Sequence, residues 1–279
     1  MTTLDRRLHA FRPDLADAAL QGQVEAARFV TPEPARIALP VVDLHPKPDL
    51  SAGIDTQLLL GEDISVFERA GGWAWVQAVA DGYVGYLPEA ALGAPQATTH
   101  VVCIPRTFLY PGPDLRFPRR DTLSMGSRVT LVGEAETRGT RYGLLADGSA
   151  LILRHLRPLS DPPAEDFVTV AALFLETPYL WGGKSGLDCS GLVQLSMAMA
   201  GLKAPRDSDM QAAGLGTPIA REDLQRGDLV FWKGHAAIME DAEMMIHANG
   251  NTMTVARETL EAAIERIGWL YGTPTGYRR

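Results

Sequence analysis

The chain has 279 residues, 46% of them hydrophobic and 22% charged, with a formal net charge of −8. That length and balance fit a soluble globular protein of about two domains. The absence of any basic run argues against a nucleic-acid partner, and no apolar stretch approaches the ~18–20 residues of a membrane-spanning helix.

The N-terminal residues up to Asp14 carry arginines, but acidic and polar residues interrupt what would have to be the hydrophobic core of a secretory signal, so a cytoplasmic location is expected. In that setting the two cysteines, Cys103 and Cys189, are expected to be free thiols.

Residues 1–36 mix charge with the apolar positions Leu4, Leu8, Leu15, Leu20, Val24 and Phe29, punctuated by Pro13, Pro32 and Pro34. They read as an N-terminal arm of short helices and extended chain. Residues 37–96 carry five short runs rich in β-branched and aromatic residues: Val41–Leu44, Gln57–Leu60, Ile64–Phe67, Trp73–Val76 and Tyr83–Leu87. Gly61, Gly71-Gly72 and Asp81-Gly82 separate them, a pattern that suggests a small barrel. Residues 97–160 repeat the pattern without the identities, with strand-like runs at Val101–Ile104, Phe108–Tyr110, Arg128–Val132 and Leu151–Leu153.

Asp161-Pro162-Pro163 reads as a helix-start signal, followed by Phe167, Val168, Ala171, Ala172 and Leu175 at helical spacing until Pro178. A second helix is expected from Cys189 to Ala200, stopped by Gly201 and apolar nearly all round, hence central and buried. From Asp228 the pattern turns strand-like, over Leu229–Trp232, His235–Met239, Met244–His247 and Thr252–Val255, with 267–272 as a possible edge strand. Helices followed by a sheet make residues 161–279 an α+β domain.

The densest chemistry lies in residues 178–192. A glycine-rich loop leads to Cys189 at the start of a helix, where the dipole favours thiolate. A cysteine nucleophile needs a histidine base and a third group to orient the imidazole. His235 and His247 are 12 residues apart, compatible with neighbouring strands of a hairpin packed on the helix. A zinc site built from Cys189, His235 and His247 finds no support, since no Cys-x-x-Cys or His-x-x-x-His spacing accompanies it, and neither metal nor cofactor is expected. His9, His45, His100 and His155 read as loop or solvent residues, Trp181 as support for the loop, and Cys103 as a small buried hydrophobe.

The words in this stretch go further. Pro178, Tyr179, Trp181, Gly182, Gly183, Asp188, Cys189, Ser190 and Gly191 resemble the nucleophile motif of the NlpC-type, papain-like cysteine peptidases of bacterial cell-wall metabolism. The further landmarks of that family follow in order: Pro205-Arg206-Asp207-Ser208, Gly227–Trp232, and Ile246-His247-Ala248. The resemblance implies a catalytic set of Cys189, His235 and His247, with Tyr179 contributing to oxyanion binding.

It also extends to the preceding barrels. A subgroup of the family carries two bacterial SH3-like domains before the peptidase and cuts the bond between D-Glu and a diamino acid in murein peptides with a free N-terminal L-Ala. The implied fold is therefore two small SH3-like β-barrels followed by an α+β papain-like domain. The implied substrate-binding residues are Asp188, Ser190 and Ser208 beside the nucleophile, with Tyr86 and Glu62 from the first barrel. Asp188 can also simply cap the helix. The expected role is cell-wall peptide recycling by a monomer whose partner is a murein peptide. Two other functions fit the same residues less well: an amidase or acyl-transfer enzyme with the same triad, and a non-catalytic protein that binds wall fragments.

Overall fold

Glu33–Ile37 forms a strand that pairs antiparallel with Asp63–Ala70 and with Leu92–Gly93. The first sheet thus begins inside the segment expected to be an arm, and the boundary at 37 cuts through this strand. The computed structural model describes residues 4–279, so the reading of residues 1–3 falls outside the described residues. Between 4 and 32 the chain is extended rather than helical: Ala16–Asp17 pairs with Phe29–Val30, and Ala18–Leu20 makes a single 3-10 turn. Pro13, Pro32 and Pro34 discourage longer helices there. Ala10 and Leu15 still find a core, packing with Phe67, Trp75 and Val84.

The chain divides at Asp161/Pro162 into two compact units. In the first, a five-stranded sheet runs in the order Val84–Pro88, Trp73–Ala78, Asp63–Ala70, Glu33–Ile37, Leu92–Gly93, and Val41–Leu44 pairs with Thr56–Leu59. Alternate residues of these strands, among them Ile37, Leu44, Leu58, Ile64, Val76 and Leu87, close one core.

Residues 98–160 form three small sheets. His100–Val102 lies between Arg128–Val129 and Leu156–Pro158, Arg106–Leu109 pairs with Asp121–Ser124, and Gly133–Thr137, Thr140–Leu144 and Ala150–Ile152 form a meander. Their core holds Val102, Leu109, Leu123, Val129 and Leu151. Gly133–Thr137 escaped the sequence reading because it reads Gly-Glu-Ala-Glu-Thr and buries no residue fully; cross-strand pairing with Thr140–Leu144 makes it a strand. Leu60 joins the two halves, its carbonyl accepting from Arg128 N at 2.7 Å. Gly61 makes that approach possible: its φ is +81°, and a Cβ there would lie 2.3 Å from the Arg128 carbonyl oxygen.

In the second unit, helix α1 (Phe167–Ala172) is capped by Asp166, whose carboxylate accepts from Val168 N and Thr169 N at 2.9 and 3.2 Å; Asp161 plays no such part. Helix α2 (Cys189–Met199) follows, with nine of its eleven residues buried, and Gly201 ends it at φ +76°. Helix α3 is Ser208–Gly214. The sheet runs Thr254–Thr259, Met244–Asn249, His235–Met239, Leu229–Trp232, Gly276–Arg278, with α2 against its middle strands.

The region expected to add an edge strand at 267–272 is helical instead. Helix α4 spans Leu260–Tyr271, capped by Thr259 and burying Leu260, Ala263 and Ile267 at helical spacing, and the edge strand comes later, at Gly276–Arg278. Among the described residues no helix is long and apolar enough to cross a membrane.

Candidate active site

The loop before α2 is anchored at both ends. Tyr179 N donates to Met253 O at 2.7 Å, and Gly182 N donates to Asp188 Oδ2 at 2.8 Å. Asp188 is the N-cap of α2, with Oδ1 accepting from Gly191 N at 2.7 Å. Gly191 must stay small, because a Cβ there would lie 2.7 Å from that same oxygen and 3.0 Å from Gly183 O. Cys189 opens the helix and is buried, and both cysteines are free thiols. Trp181, expected to support the loop, is 69% exposed.

Strand pairing delivers the imidazoles. Antiparallel pairing of His235–Met239 with Met244–Asn249 sets Ile238 opposite Ile246 and Met239 opposite Met245. His235 and His247 fall on one face as diagonal neighbours, and His235 Nε2 lies 2.8 Å from His247 Nδ1, the rings inclined at 69°. Cys189 meets the backbone on either side of His235: its Sγ is 4.0 Å from Gly234 O, and the Ala236 N–H points at the sulfur. His235 Nδ1 is left as the nitrogen free of the His247 contact.

Beyond His247 the site continues into residues that the sequence reading did not single out. His247 Nε2 lies 2.7 Å from Glu258 Oε1, and Glu258 is ion-paired with Arg266 of α4. Asn249 Nδ2 also approaches His247 Nε2, at 3.2 Å. The signal for Glu258 was positional. Once Thr254–Thr259 pairs with Met244–Asn249 so that His247 faces Ala256, strand alternation puts Glu258, two residues on, on the same face.

Arg206 was also missed in role, though it stands inside one of the landmark words. It is 1% exposed; its Nη2 donates to Asp188 Oδ2 at 2.7 Å and its Nη1 to Ser190 Oγ at 3.0 Å.

Burial dominates the electrostatics of the site. Burial, with help from the Asp188 carboxylate, pushes the Cys189 thiol up to about 11, against the pull of the Ala236 and Ser190 N–H groups. Burial, then the neighbouring His247, pulls His235 down to about 3. Both directions favour the neutral forms, thiol and imidazole, over an ion pair. Burial pushes the Tyr179 hydroxyl up as well, reinforced by Cys189 and Asp188, so it remains an O–H donor at neutral pH. Glu258 stays a carboxylate: burial raises it, but the hydrogen bonds from His247 and Arg266 outweigh that and hold it at about 2.

The other sequence candidates are placed as follows. Ser208 is the first residue of α3 and partly exposed. In the first unit, the Tyr86 hydroxyl accepts from Arg12 Nη1 at 2.9 Å, and its ring stacks on Trp75. Glu62 lies in the turn before the Asp63–Ala70 strand and is partly buried. His45, expected as a loop or solvent residue, is 3% exposed, with Nδ1 near the carbonyls of Ala52 and Gly53. Among the described residues no group of three His, Cys, Asp or Glu side chains is arranged to hold a metal ion.

The NlpC/P60 family matches residues 176–266, and the bacterial dipeptidyl-peptidase Sh3 domain matches residues 44–92. The gamma-D-glutamyl-L-lysine dipeptidyl-peptidase of Bacillus subtilis (strain 168) is 30% identical over 236 residues, covering 76% of this chain and 77% of that protein. This chain belongs to the NlpC/P60 family of cysteine peptidases.

The protein of the same name from Bacillus cereus (strain ATCC 10987 / NRS 248) is 31% identical to this NlpC/P60 peptidase over 227 residues, covering 70% of this chain and 67% of that one. Dipeptidyl-peptidase 6 of Lysinibacillus sphaericus is 28% identical, covering 83% of this chain and 97% of that one. A crystal structure of an NlpC/P60 family protein from Bacillus cereus ATCC 10987 superposes with a TM-score of 0.74 at 24% identity, over 88% of this chain and 99% of that one, a likeness of fold.

Proposed function

We propose that this NlpC/P60 peptidase hydrolyses the γ-D-glutamyl–diamino acid bond of murein peptides that carry a free N-terminal L-Ala. The observation that carries the reading is the Cys189–His235–His247 arrangement at the start of α2, in a chain similar to two proteins named gamma-D-glutamyl-L-lysine dipeptidyl-peptidase. In this reading residues 98–160 are a second SH3-like barrel, supported by their small sheets around one core.

Catalysis would begin as Cys189 Sγ attacks the γ-carbonyl carbon while its proton passes to His235 Nδ1. The helix-start N–H groups and the Tyr179 O–H stabilise the oxyanion. His235 then returns the proton to the leaving amine, the C–N bond breaks, and a thioester remains. Water, deprotonated by His235, attacks that thioester and releases the dipeptide acid and the thiol.

Asp188 would read the free amine with its remaining acceptor capacity. A carboxylate offers about four lone-pair sites, and Gly182 N, Gly191 N and Arg206 occupy three of them. Ser190 and Ser208 are the other proposed substrate-binding residues of this unit, and Tyr86 and Glu62 are those proposed in the first unit. A requirement for a free amine confines action to short peptides, as a monomeric recycling enzyme of the cytoplasm would meet them.

The test compares L-Ala-γ-D-Glu-meso-diaminopimelate, its lysine analogue and the N-acetylated forms by mass spectrometry. Release of L-Ala-D-Glu from the free peptides alone is expected. Equal rates on the acetylated forms would remove the amine-reading role, and cleavage at another bond would remove the proposed specificity.

A further inference from the structure

The residues beyond His247 carry a directional argument. His247 Nε2 receives two approaches of opposite character: an acceptor, Glu258 Oε1, at 2.7 Å, and a donor, Asn249 Nδ2, at 3.2 Å. The Asn249 amide cannot turn to remove this conflict, because its Oδ1 already accepts from Asn251 N and Thr252 N at 3.0 and 2.9 Å. Which neighbour prevails decides which nitrogen of His247 carries the proton, and through it which nitrogen of His235 does.

If Nε2–H of His247 donates to Glu258, His247 Nδ1 is an acceptor. His235 Nε2 must then carry its proton and donate to it, which leaves His235 Nδ1 as a lone pair able to take the Cys189 proton. If Asn249 prevailed, His247 Nδ1 would carry the proton and donate to His235 Nε2. His235 would then carry its own proton on Nδ1 and could accept nothing from the thiol. Arg266, ion-paired with Glu258, keeps the carboxylate charged and turned toward His247.

We propose that Glu258 is a positioning residue that sets the polarity of the His235–His247 hydrogen-bond chain, with Arg266 holding it in place. The proposal rests on the reading of Cys189 and His235 as nucleophile and base, and the two can fail separately. Glu258→Leu is the informative variant. Arg266 Nη2 and His247 Nε2 meet the same carboxylate oxygen, Oε1, so a glutamine can still present an acceptor to His247, whereas leucine removes it and leaves the Asn249 amide donor to set the wrong tautomer. A tautomer inversion of this kind in a serine protease triad costs about 10⁴-fold in kcat with the geometry intact.

The measurement is ¹⁵N NMR of the imidazole nitrogens in the full chain near neutral pH, together with kinetics. In the wild type, His235 and His247 should both carry the proton on Nε2. Either ring protonated on Nδ1, or His247 protonated on both nitrogens, overturns the proposal whatever the variants do. In Glu258→Leu both protons should move to Nδ1, with kcat down at least ~100-fold, KM within about threefold, and partial recovery in Glu258→Gln, which keeps an acceptor oxygen. A Glu258→Leu enzyme that keeps kcat within threefold, or loses activity with both tautomers unchanged, overturns it. If Glu258→Leu does not fold, the wild-type tautomers decide. Cys189→Ala that still turns over would overturn the reading of the site while leaving the tautomer result to stand.

Discussion

Arg206 donates to Asp188 Oδ2 at 2.7 Å, one residue before the proposed nucleophile Cys189, with both side chains almost fully buried. The same guanidinium reaches Ser190 Oγ, so it brackets Cys189 from both sides in the chain. Breaking a buried pair strands the remaining charge, at ~3–5 kcal/mol. Arg206→Met should lower the stability of the C-terminal unit by about that much and reduce kcat/KM. Arg206→Lys should recover only part of it, because a single ammonium cannot reproduce the two-pronged contact. Denaturant midpoints report the result, and a loss below ~1 kcal/mol for the methionine variant would contradict a structural ion pair.

Stability should fall on both sides of neutrality. His235 has an ordinary value of 6.5 and is pulled down to about 3 in the fold, so between those values the unfolded chain binds more protons and stability drops as pH falls. Glu258 acts in the same direction between 4.5 and about 2. Cys189 is pushed from 9.0 to about 11, so the unfolded chain loses its proton first and stability drops as pH rises through that window. Melting curves across pH should flatten on the alkaline side in Cys189→Ala and on the acid side in His235→Asn. Unchanged limbs in both variants would refute the assignments.

Alkylation separates a neutral resting pair from a thiolate–imidazolium pair. With Cys189 held up at about 11, its reaction with iodoacetamide should climb with pH well beyond neutrality. A plateau reached by about pH 5 would show that the ion pair forms at rest. Cys103 offers an internal reference: it is half-buried, its thiol is also pushed up by burial, and its Sγ donates to His155 O at 3.3 Å. Peptide mapping resolves the two sites.

Arg12 ties the N-terminal segment to the proposed substrate tyrosine. Its guanidinium lies 4.3 Å above the Trp75 ring, donates to the Tyr86 hydroxyl at 2.9 Å and pairs with Glu68 at 2.6 Å. Arg12→Ala should destabilise the first unit by ~1–2 kcal/mol through lost stacking and pairing. With Tyr86 released, KM for the free tripeptide should rise while kcat changes little. A Tyr86→Phe enzyme with unaltered KM would take Tyr86 out of substrate binding.

The sequence by itself determined much of this protein. The words around Cys189 stand in a short stretch because the proposed nucleophile, its cap Asp188 and its loop must be adjacent in the chain to share one helix start. Val41–Leu44, Leu229–Trp232 and His235–Met239 were legible as strands because β-branched and aromatic residues there are bounded by turn residues. Helix α4 was misread because a short apolar run, Ile267 to Tyr271, fits a strand until Leu260 and Ala263 are counted with it.

Only the tertiary structure decided the partners. Arg206 is a surface residue by type and Glu258 a solvent-facing strand residue by pattern, yet both turn inward to groups 18 and 11 positions away. No local periodicity records such pairings, because they follow from strand register and from the requirement that a buried charge find its counter-charge.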